Sequence, residues 1–308
     1  MTAELPVSFL CEKDRMYGVL HLPGKPAKHG ILMIQGRPAY RVGTHRVYVD
    51  LARAWAAHGY PVMRMDYRGS GDSEGPVPMY EDTPREIRAA VDAYMANMPG
   101  LEEVVVWGSC AGAADAITYA LTDPRITAMG FLNLWAYSAR DRARTRIRYH
   151  AGLYLRKMRN PSWWKTMFRG EVGLKASIRE LFLTLREAAG GKAGPLRTYK
   201  AREELDGVSS LMPEDAMRFY HTYRVPDLAE RLGNQLLQFR GKLMLVLCGG
   251  DVIAQSFLSM AEANPVWKKV LTGPSLTRHD LHGADHGLRR PEWRAQVIQW
   301  SLEWFAQL

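Results

Sequence analysis

The residues most suggestive of chemistry are Gly108-Ser109-Cys110-Ala111-Gly112, a Gly-x-Cys-x-Gly pattern that we call the cysteine turn. It follows the apolar run 103–107 (EVVVW) and precedes small residues, which predicts a sharp turn from a buried strand into a helix. Glycines at both ends would let the backbones pack closely, and the helix N-terminus would favour a thiolate. We therefore expect Cys110 to be a nucleophile; the alternative is a small buried residue in a glycine-rich turn.

A nucleophile of this kind needs a general base and a group that orients the base. Asp251 follows the apolar run 242–248 and is the expected orienting acid, with a helix N-cap as the alternative role. The histidine-rich segment 279–287 (HDLHGADHG) precedes the last predicted helix. In it His286 is the expected base and His282 the competing choice. Because the spacing matches no strong metal motif, we predict no metal site.

Two backbone N–H groups are expected to stabilise an oxyanion. One belongs to Ala111, directly after the nucleophile. The other should come from Gly36-Arg37-Pro38, after the apolar run 30–35. Since proline has no N–H, Arg37 is the expected donor. Ser109 occupies the position before the nucleophile, and its side chain should point back toward the sheet.

Hydrophobic patterning around these motifs predicts strands alternating with helices. The predicted strands are 7–11, 16–22, 30–35, 61–65, 103–107, 126–135 and 242–248, with His279 in one further strand. The predicted helices are 46–58, 83–98 (with Thr83 as cap and Pro84 in the first turn) and 291–307. Such alternation is typical of a mostly parallel sheet covered by helices on both faces.

The alternation stops between residues 137 and 238. We expect a core formed by 1–136 and 239–308 and a helical, arginine-rich lid at 137–238, inserted between two late strands. From Arg140 to Arg202 this lid holds 17 Lys+Arg against four acidic residues, a balance of +13, whereas the whole chain carries +9. It is interpreted either as a solvated basic surface or as a lid that meets phosphates or an acidic carrier protein.

Composition excludes several classes of protein. With 308 residues, 47% hydrophobic and 24% charged, the chain has the balance of an average globular protein. No apolar stretch reaches the ~18–20 residues of a transmembrane helix, and no signal peptide is predicted. Three scattered cysteines predict free thiols and a cytoplasmic location. No motif that reads nucleic acid accompanies the basic charge, so we expect no nucleic-acid partner.

Together these features resemble the α/β-hydrolase superfamily, whose D-x-R-G-x-G-x-S turn is similar to DYRGSGDS at 66–73. A closer resemblance is to the exosortase A system-associated hydrolases of type 1, over most of residues 15–290. The segments that carry it are RVGTHR at 41–46, PVMRMDYRGSGDSEG at 61–75, WGSC at 107–110, LNLW at 132–135 and WWK at 163–165. In this family an acidic residue tends to follow the cysteine, whereas this sequence has Ala111 there. The family also tends to have proline at the position of Leu134.

The resemblance implies the α/β-hydrolase fold with a native cysteine at the turn. Polyhydroxyalkanoate synthases also resemble this arrangement, which implies acyl transfer from coenzyme A thioesters. We expect a thioesterase or acyltransferase that forms an acyl-Cys110 intermediate with a Cys-His-Asp triad and uses no cofactor. Its small-molecule acyl substrate would be carried on coenzyme A or an acyl-carrier protein. The alternatives are a plain carboxylester hydrolase of the same fold and a non-catalytic protein that binds an acidic partner through the basic lid.

Overall fold

The computed structural model describes residues 3–24, 27–37, 39–78, 82–136 and 228–308. The predicted lid, except residues 228–238, lies outside these ranges, and so does its basic segment 140–202. The described strands are β1 (Ala3–Cys11), β2 (Asp14–Leu22), β3 (His29–Ile34), β4 (Val62–Met65), β5 (Glu103–Ser109), β6 (Ile126–Leu132), β7 (Lys242–Cys248) and β8 (Leu276–Leu281). The described α-helices are α1 (Val47–Ala57), α2 (Thr83–Asn97), α3 (Ala111–Ala120), α4 (Leu228–Gln238), α5 (Val252–Ala263), α6 (Pro265–Leu271) and α7 (Pro291–Phe305).

All eight described strands form one sheet in the order β1-β2-β4-β3-β5-β6-β7-β8. The hairpin β1-β2 is antiparallel and joins β4 in an antiparallel pair. From β4 to β8 every neighbouring pair is parallel. Parallel neighbours require crossover connections, which helices provide. The predicted mostly parallel sheet with helices on both faces is confirmed.

Two apolar clusters fill the space between the sheet and its helices. One lies under α2 to α6, and the other lies under α1 and α7. Strand β5 contributes to both, because Val104 and Val106 belong to the first cluster while Val105 and Trp107 belong to the second. Burial on both faces explains the continuous apolar sequence of this strand. The cysteine turn is thus attached to one of the most buried strands of the sheet.

The start of α2 differs from the sequence prediction. Thr83 is not the N-cap: Asp82 holds that position without a side-chain hydrogen bond, and Pro84 lies in the first turn as predicted. The Thr83 side chain is fully buried, and its hydroxyl donates to Asp115 Oδ1 at 3.3 Å. Because the Thr83 hydroxyl is hydrogen-bonded to the buried Asp115 carboxylate, it does not cap the helix.

Helix α4 is the described end of the predicted insertion, and residues 137–227 of the insertion lie outside the described residues. Leu228, Leu232 and Leu236 join the same apolar cluster as α3 and α6. This helix therefore packs on the core immediately before β7. No helix in the described part of the chain is long and apolar enough to cross a membrane. Cys11, Cys110 and Cys248 are free, as predicted.

Candidate active site

The cysteine turn connects β5 to α3 in the conformation that its sequence predicts. Cys110 lies between the two elements with φ 53° and ψ −123°. A residue other than glycine adopts such angles only at a cost of order 1–3 kcal/mol, so the surroundings must hold it there. Its N–H donates to the carbonyl of Leu132 at 3.0 Å, and its carbonyl accepts from the N–H of Trp135 at 3.2 Å. The chain after β6 thus fixes the turn from the side.

The two glycines of the turn are needed because backbones approach closely there. A Cβ atom at Gly108 would lie 2.6 Å from Ala113 Cα, inside the first turn of α3. A Cβ atom at Gly112 would lie 2.6 Å from the carbonyl carbon of Gln35. Real Cβ atoms do not approach other atoms this closely, so any side chain would separate the helix from its neighbours. The Gly-x-Cys-x-Gly spacing thus follows from packing around the turn.

Ser109 is directed beneath the turn, as predicted. Its hydroxyl hydrogen-bonds with the hydroxyl of Tyr48 at 2.9 Å. Tyr48 is buried and also donates to the carbonyl of Ile34 at 2.8 Å. Burial raises the pKa of Tyr48, so this phenol stays neutral. Ser109 therefore connects the cysteine turn to α1 and β3.

Asp251 and His286 are brought together at the carboxyl end of the sheet. His286 Nδ1 lies 2.7 Å from Asp251 Oδ2, where it donates a hydrogen bond. The other oxygen, Oδ1, accepts from the N–H of Ile253 at 3.0 Å, which makes Asp251 the N-cap of α5. Both roles considered from the sequence are therefore present at once, one on each carboxylate oxygen.

The side chain of Cys110 lies near the same imidazole, close enough to contribute to its pKa. Since Nδ1 faces Asp251, Nε2 is the nitrogen left for the thiol. Packing around the imidazole lowers its pKa, but the Asp251 carboxylate and then Cys110 outweigh this effect and raise the pKa of His286 well above its usual value. The side chain is 42% exposed, so solvent screens part of this interaction. His286 thus lies between Asp251, to which it is hydrogen-bonded, and Cys110.

The predicted oxyanion donors lie beside the cysteine turn. Ala111 is the first residue of α3, so its N–H has no acceptor in a preceding helical turn. A Cβ atom at Gly36 would lie 3.3 Å from the nitrogen of Ala111, which places the 35–37 loop against the start of α3. Arg37 is the next residue of that loop, and its N–H as an oxyanion donor remains a prediction.

The side chain of Arg37 has a position that the sequence reasoning missed. It is fully buried, with Nη2 3.0 Å from Asp115 Oδ1 and Nη1 3.0 Å from the carbonyl of Pro78. Its guanidinium also lies over the ring of Tyr67, 5.2 Å from the centroid. Burial raises the pKa of Asp115 to about 6, although Arg37 opposes this. Asp115 was a possible signal, because it is the single charged residue among the small residues of α3.

The other histidine considered from the sequence lies apart from the triad. His282 is exposed and makes no hydrogen bond or ion pair with the residues that the structure describes. His279 lies in β8, as predicted, and stacks on Trp300 with centroids 4.4 Å apart. In the described ranges, no group of three or more His, Cys, Asp or Glu side chains could hold a metal ion.

The 66–73 turn has a structural role. Asp66 is fully buried and accepts from the backbone N–H of Arg41 at 2.5 Å. Its side chain also pairs with the Arg41 guanidinium. Gly69 and Gly71 have positive φ values of 62° and 56°, and the hydroxyl of Ser73 donates to the carbonyl of Asp66 at 3.1 Å. These contacts hold the chain after β4 and involve none of the triad residues.

Comparisons with known proteins agree with this architecture. The sequence model of the serine aminopeptidase S33 family matches residues 41–159, less than half of the chain. No curated protein sequence matches at a significant level. Among solved structures, the α/β hydrolase GrgF of Penicillium sp. sh18 is 16% identical with a TM-score of 0.59, over 99% of this chain and 97% of that one.

Two esterases are similar in structure to the same extent. The esterase Pf2001 of Pyrococcus furiosus has a TM-score of 0.58 and 15% identity, over 97% of this chain and 90% of its own. The esterase domain of a Rhodothermus marinus protein has a TM-score of 0.56 and 17% identity, over 98% of this chain and 97% of its own. The expected α/β-hydrolase fold is thereby confirmed.

Proposed function

We propose that the protein is an acyl-transfer enzyme, a thioesterase or acyltransferase, that works through an acyl-cysteine intermediate on Cys110. The observation that carries the proposal is that His286, hydrogen-bonded to Asp251, lies beside Cys110, which occupies a strained strand-to-helix turn. A strained nucleophile, a base and an orienting acid in hydrogen-bond contact are the elements of covalent acyl transfer. No other cluster among the described residues combines them.

In the first half of the cycle, Cys110 Sγ attacks the carbonyl carbon of the acyl substrate. His286 takes the thiol proton as Sγ attacks, and the raised pKa of the imidazole favours its holding that proton. The backbone N–H groups of Ala111 and Arg37 stabilise the oxyanion. The bond to the leaving thiol or alcohol then breaks, and the leaving group takes the proton from His286 Nε2.

In the second half, neutral His286 removes a proton from the acceptor, which is water or another nucleophile. The acceptor attacks the acyl carbon, the bond to Cys110 Sγ breaks, and the departing sulfur takes the proton from His286, which restores the starting site. Asp251 keeps Nδ1–H of His286 engaged throughout, so Nε2 always faces the reacting atoms. No cofactor takes part in this cycle.

Thioesters suit this site better than oxygen esters. Exchange of one thioester for another is nearly balanced in free energy, whereas an acyl-cysteine formed from an alkyl ester lies uphill of its substrate. Carriers such as coenzyme A or an acyl-carrier protein are acidic and would complement the basic lid. The resemblance to exosortase A system-associated hydrolases of type 1 and the cytoplasmic location belong to this same proposal.

A plain carboxylester hydrolase is the second candidate, and the esterases of Pyrococcus furiosus and Rhodothermus marinus favour it. The same triad would then cleave oxygen esters with water as the acceptor. The two candidates differ in the ratio of kcat/KM for a thioester and for the oxygen ester of the same acyl group. We expect this ratio to exceed one in the wild type and to fall in Cys110→Ser.

The test is the intact mass of the protein after incubation with short acyl thioesters. The wild type should gain one acyl group, and Cys110→Ala should gain none. His286→Ala should hydrolyse its adduct more slowly, and Asp251→Asn should slow both steps. Cys11→Ala is the matched control, because Cys11 is a buried free thiol distant from His286, and it should label like the wild type.

The proposal is contradicted if the wild type gains no acyl group and turns over no ester while its Cys110 is alkylated no faster than Cys11. That result would favour the non-catalytic binding role. Acylation of the wild type with oxygen esters alone, and a thioester ratio below one, would favour the carboxylester hydrolase.

A further inference from the structure

Asn133 lies at the end of β6, between the strands that carry the nucleophile and the acid. Its side chain is fully buried, and its φ of 51° places it in the left-handed region. Asparagine tolerates this region better than most residues, so the backbone conformation alone is compatible with its presence. A buried amide must also find hydrogen-bond partners, and its partners are informative.

The Asn133 amide joins the two segments that carry the acid and the base. Oδ1 accepts from the N–H of Cys248 at 2.8 Å, at the end of β7. Nδ2 donates to the carbonyl of His286 at 3.4 Å. The turn that begins at Cys248 continues to Asp251, whose N–H donates to the Cys248 carbonyl at 3.1 Å. One side chain thus contacts the base residue itself and the first residue of the acid turn.

The backbone around Asn133 holds the nucleophile at the same time. Leu132 accepts the hydrogen bond from the N–H of Cys110, and Trp135 donates to the Cys110 carbonyl. The N–H of Asn133 itself donates to the carbonyl of Val246 at 2.9 Å. The segment 132–135 therefore contacts Cys110, His286 and the start of the turn that leads to Asp251.

Sheet geometry explains why such a residue is needed. Strands β5, β6, β7 and β8 are consecutive neighbours, and neighbouring strands lie about 4.8 Å apart. The strands that end at Cys110 and before Asp251 are therefore separated by β6, roughly 10 Å from one to the other. His286 comes from the loop after β8 and must reach back across the end of β6 to contact both. Asn133 occupies that end.

We propose that Asn133 is a positioning residue, which holds the His286 loop and the Asp251 turn together so that the imidazole meets Cys110. The inference rests on the proposed triad. Without the amide, the Cys248 N–H loses its buried acceptor and the loop after β8 loses its contact with β6. The imidazole would then spend less time beside the thiol, and a displacement of about 1 Å is enough to slow such a reaction about 10²-fold.

The test is the pH profile of Cys110 alkylation by iodoacetamide, which needs the Cys110–His286 contact but no acyl transfer. Asn133→Gly removes both amide hydrogen bonds and tolerates the positive φ. We expect it to alkylate about tenfold more slowly than the wild type at pH 6 and equally fast at pH 9, where hydroxide can take the place of the imidazole as the base. Its kcat on a thioester should fall with little change in KM.

Asn133→Asp is the second variant, because it keeps an acceptor for the Cys248 N–H but loses the donor to His286. Its profile should lie between those of the wild type and Asn133→Gly. The matched control is Asn264→Ala, at a residue that caps α6 with two backbone hydrogen bonds and none to the triad. Circular dichroism reports whether each variant is folded.

Unchanged alkylation profiles in both Asn133 variants would overturn the inference, and so would an equal shift in Asn264→Ala, which would indicate general loosening. If the wild type turns over neither thioester nor ester but the Asn133 variants still lose alkylation at pH 6, the positioning role stands and the proposed function fails. If turnover is present and the profiles do not shift, the proposed function stands and the positioning role fails.

Discussion

Removing one member of the buried Arg37–Asp115 pair should destabilise the fold and displace the 35–37 loop. Both side chains have 0% exposure, and Nη2 lies 3.0 Å from Oδ1. Arg37→Met keeps most of the side-chain volume but leaves the Asp115 carboxylate buried without its cation. Asp115→Asn keeps the shape of the acceptor but leaves a buried guanidinium without its carboxylate. The double variant Arg37→Met/Asp115→Asn removes both charges.

The expected magnitudes follow from burial. An uncompensated buried charge costs about 3–5 kcal/mol in the free energy of unfolding, so each single variant should lose about that much. The double variant should lose less than the sum, with a coupling energy of about 1–3 kcal/mol. Because burial already raises the pKa of Asp115 to about 6 with Arg37 present, loss of the cation raises it further. The deficit of Arg37→Met relative to the wild type should therefore shrink as the pH falls toward about 6, because the Asp115 carboxyl of the variant gains its proton at a higher pH than that of the wild type.

Urea unfolding of the four proteins at pH 7.5 and pH 5.5 measures these free energies. Arg278→Met is the matched control, because Arg278 pairs with Asp280 at the surface, where the same change should cost less than about 1 kcal/mol. Thioester turnover measured in parallel should fall by up to about 10²–10³-fold in Arg37→Met, since a displaced loop removes one oxyanion donor. Additive single costs would refute the coupling, and unchanged kcat would refute the link between the pair and the oxyanion donor.

Two further changes test the packing around the sheet. Gly112→Ala would place a Cβ atom 2.6 Å from the carbonyl carbon of Gln35, so kcat should fall about 10²-fold, whereas Gly24→Ala, which meets nothing within 4 Å, should leave it unchanged. Burial, and then Arg64, lower the pKa of His21 to about 4, so the wild type should lose about 3 kcal/mol of stability as the pH falls from 6.5 to 4, because only the unfolded chain gains the proton there. His21→Gln should flatten this slope in urea unfolding; an unchanged slope would assign the acid sensitivity to other groups.

Local pattern was enough to predict the elements that carry the site. A strand buried on both faces, a glycine-spaced turn and a helix of small residues each have a short-range signature. The sequence therefore predicted that Cys110 lies in a turn between a strand at 103–107 and a helix. In the structure β5 ends at Ser109 and α3 begins at Ala111, on either side of Cys110. The predictions for Asp251 and His286 rested on chain order and strand ends, and the structure places these two side chains in contact.

Contacts between distant residues could not be predicted in this way. Arg37 and Asp115 are 78 positions apart, and the residues around each of them do not indicate the other as its partner. Thr83 illustrates the consequence: its position before Pro84 is typical of an N-cap, yet its hydroxyl bonds to Asp115. The side-chain hydrogen bonds of Asn133 could not be predicted either, because its partners Cys248 and His286 lie 115 and 153 positions away. A buried polar residue in an apolar element is the remaining signal for such contacts.

Asp251 shows how two roles that appear as alternatives in the sequence support each other in the fold. Oδ1 is held by the N–H of Ile253 in the first turn of α5, and this leaves Oδ2 with one orientation, toward His286. The positive end of the helix also stabilises the carboxylate charge that the imidazolium requires. Because formation of α5 and alignment of His286 use the same carboxylate, the cap reduces the reorganisation that the site would otherwise need during each proton transfer.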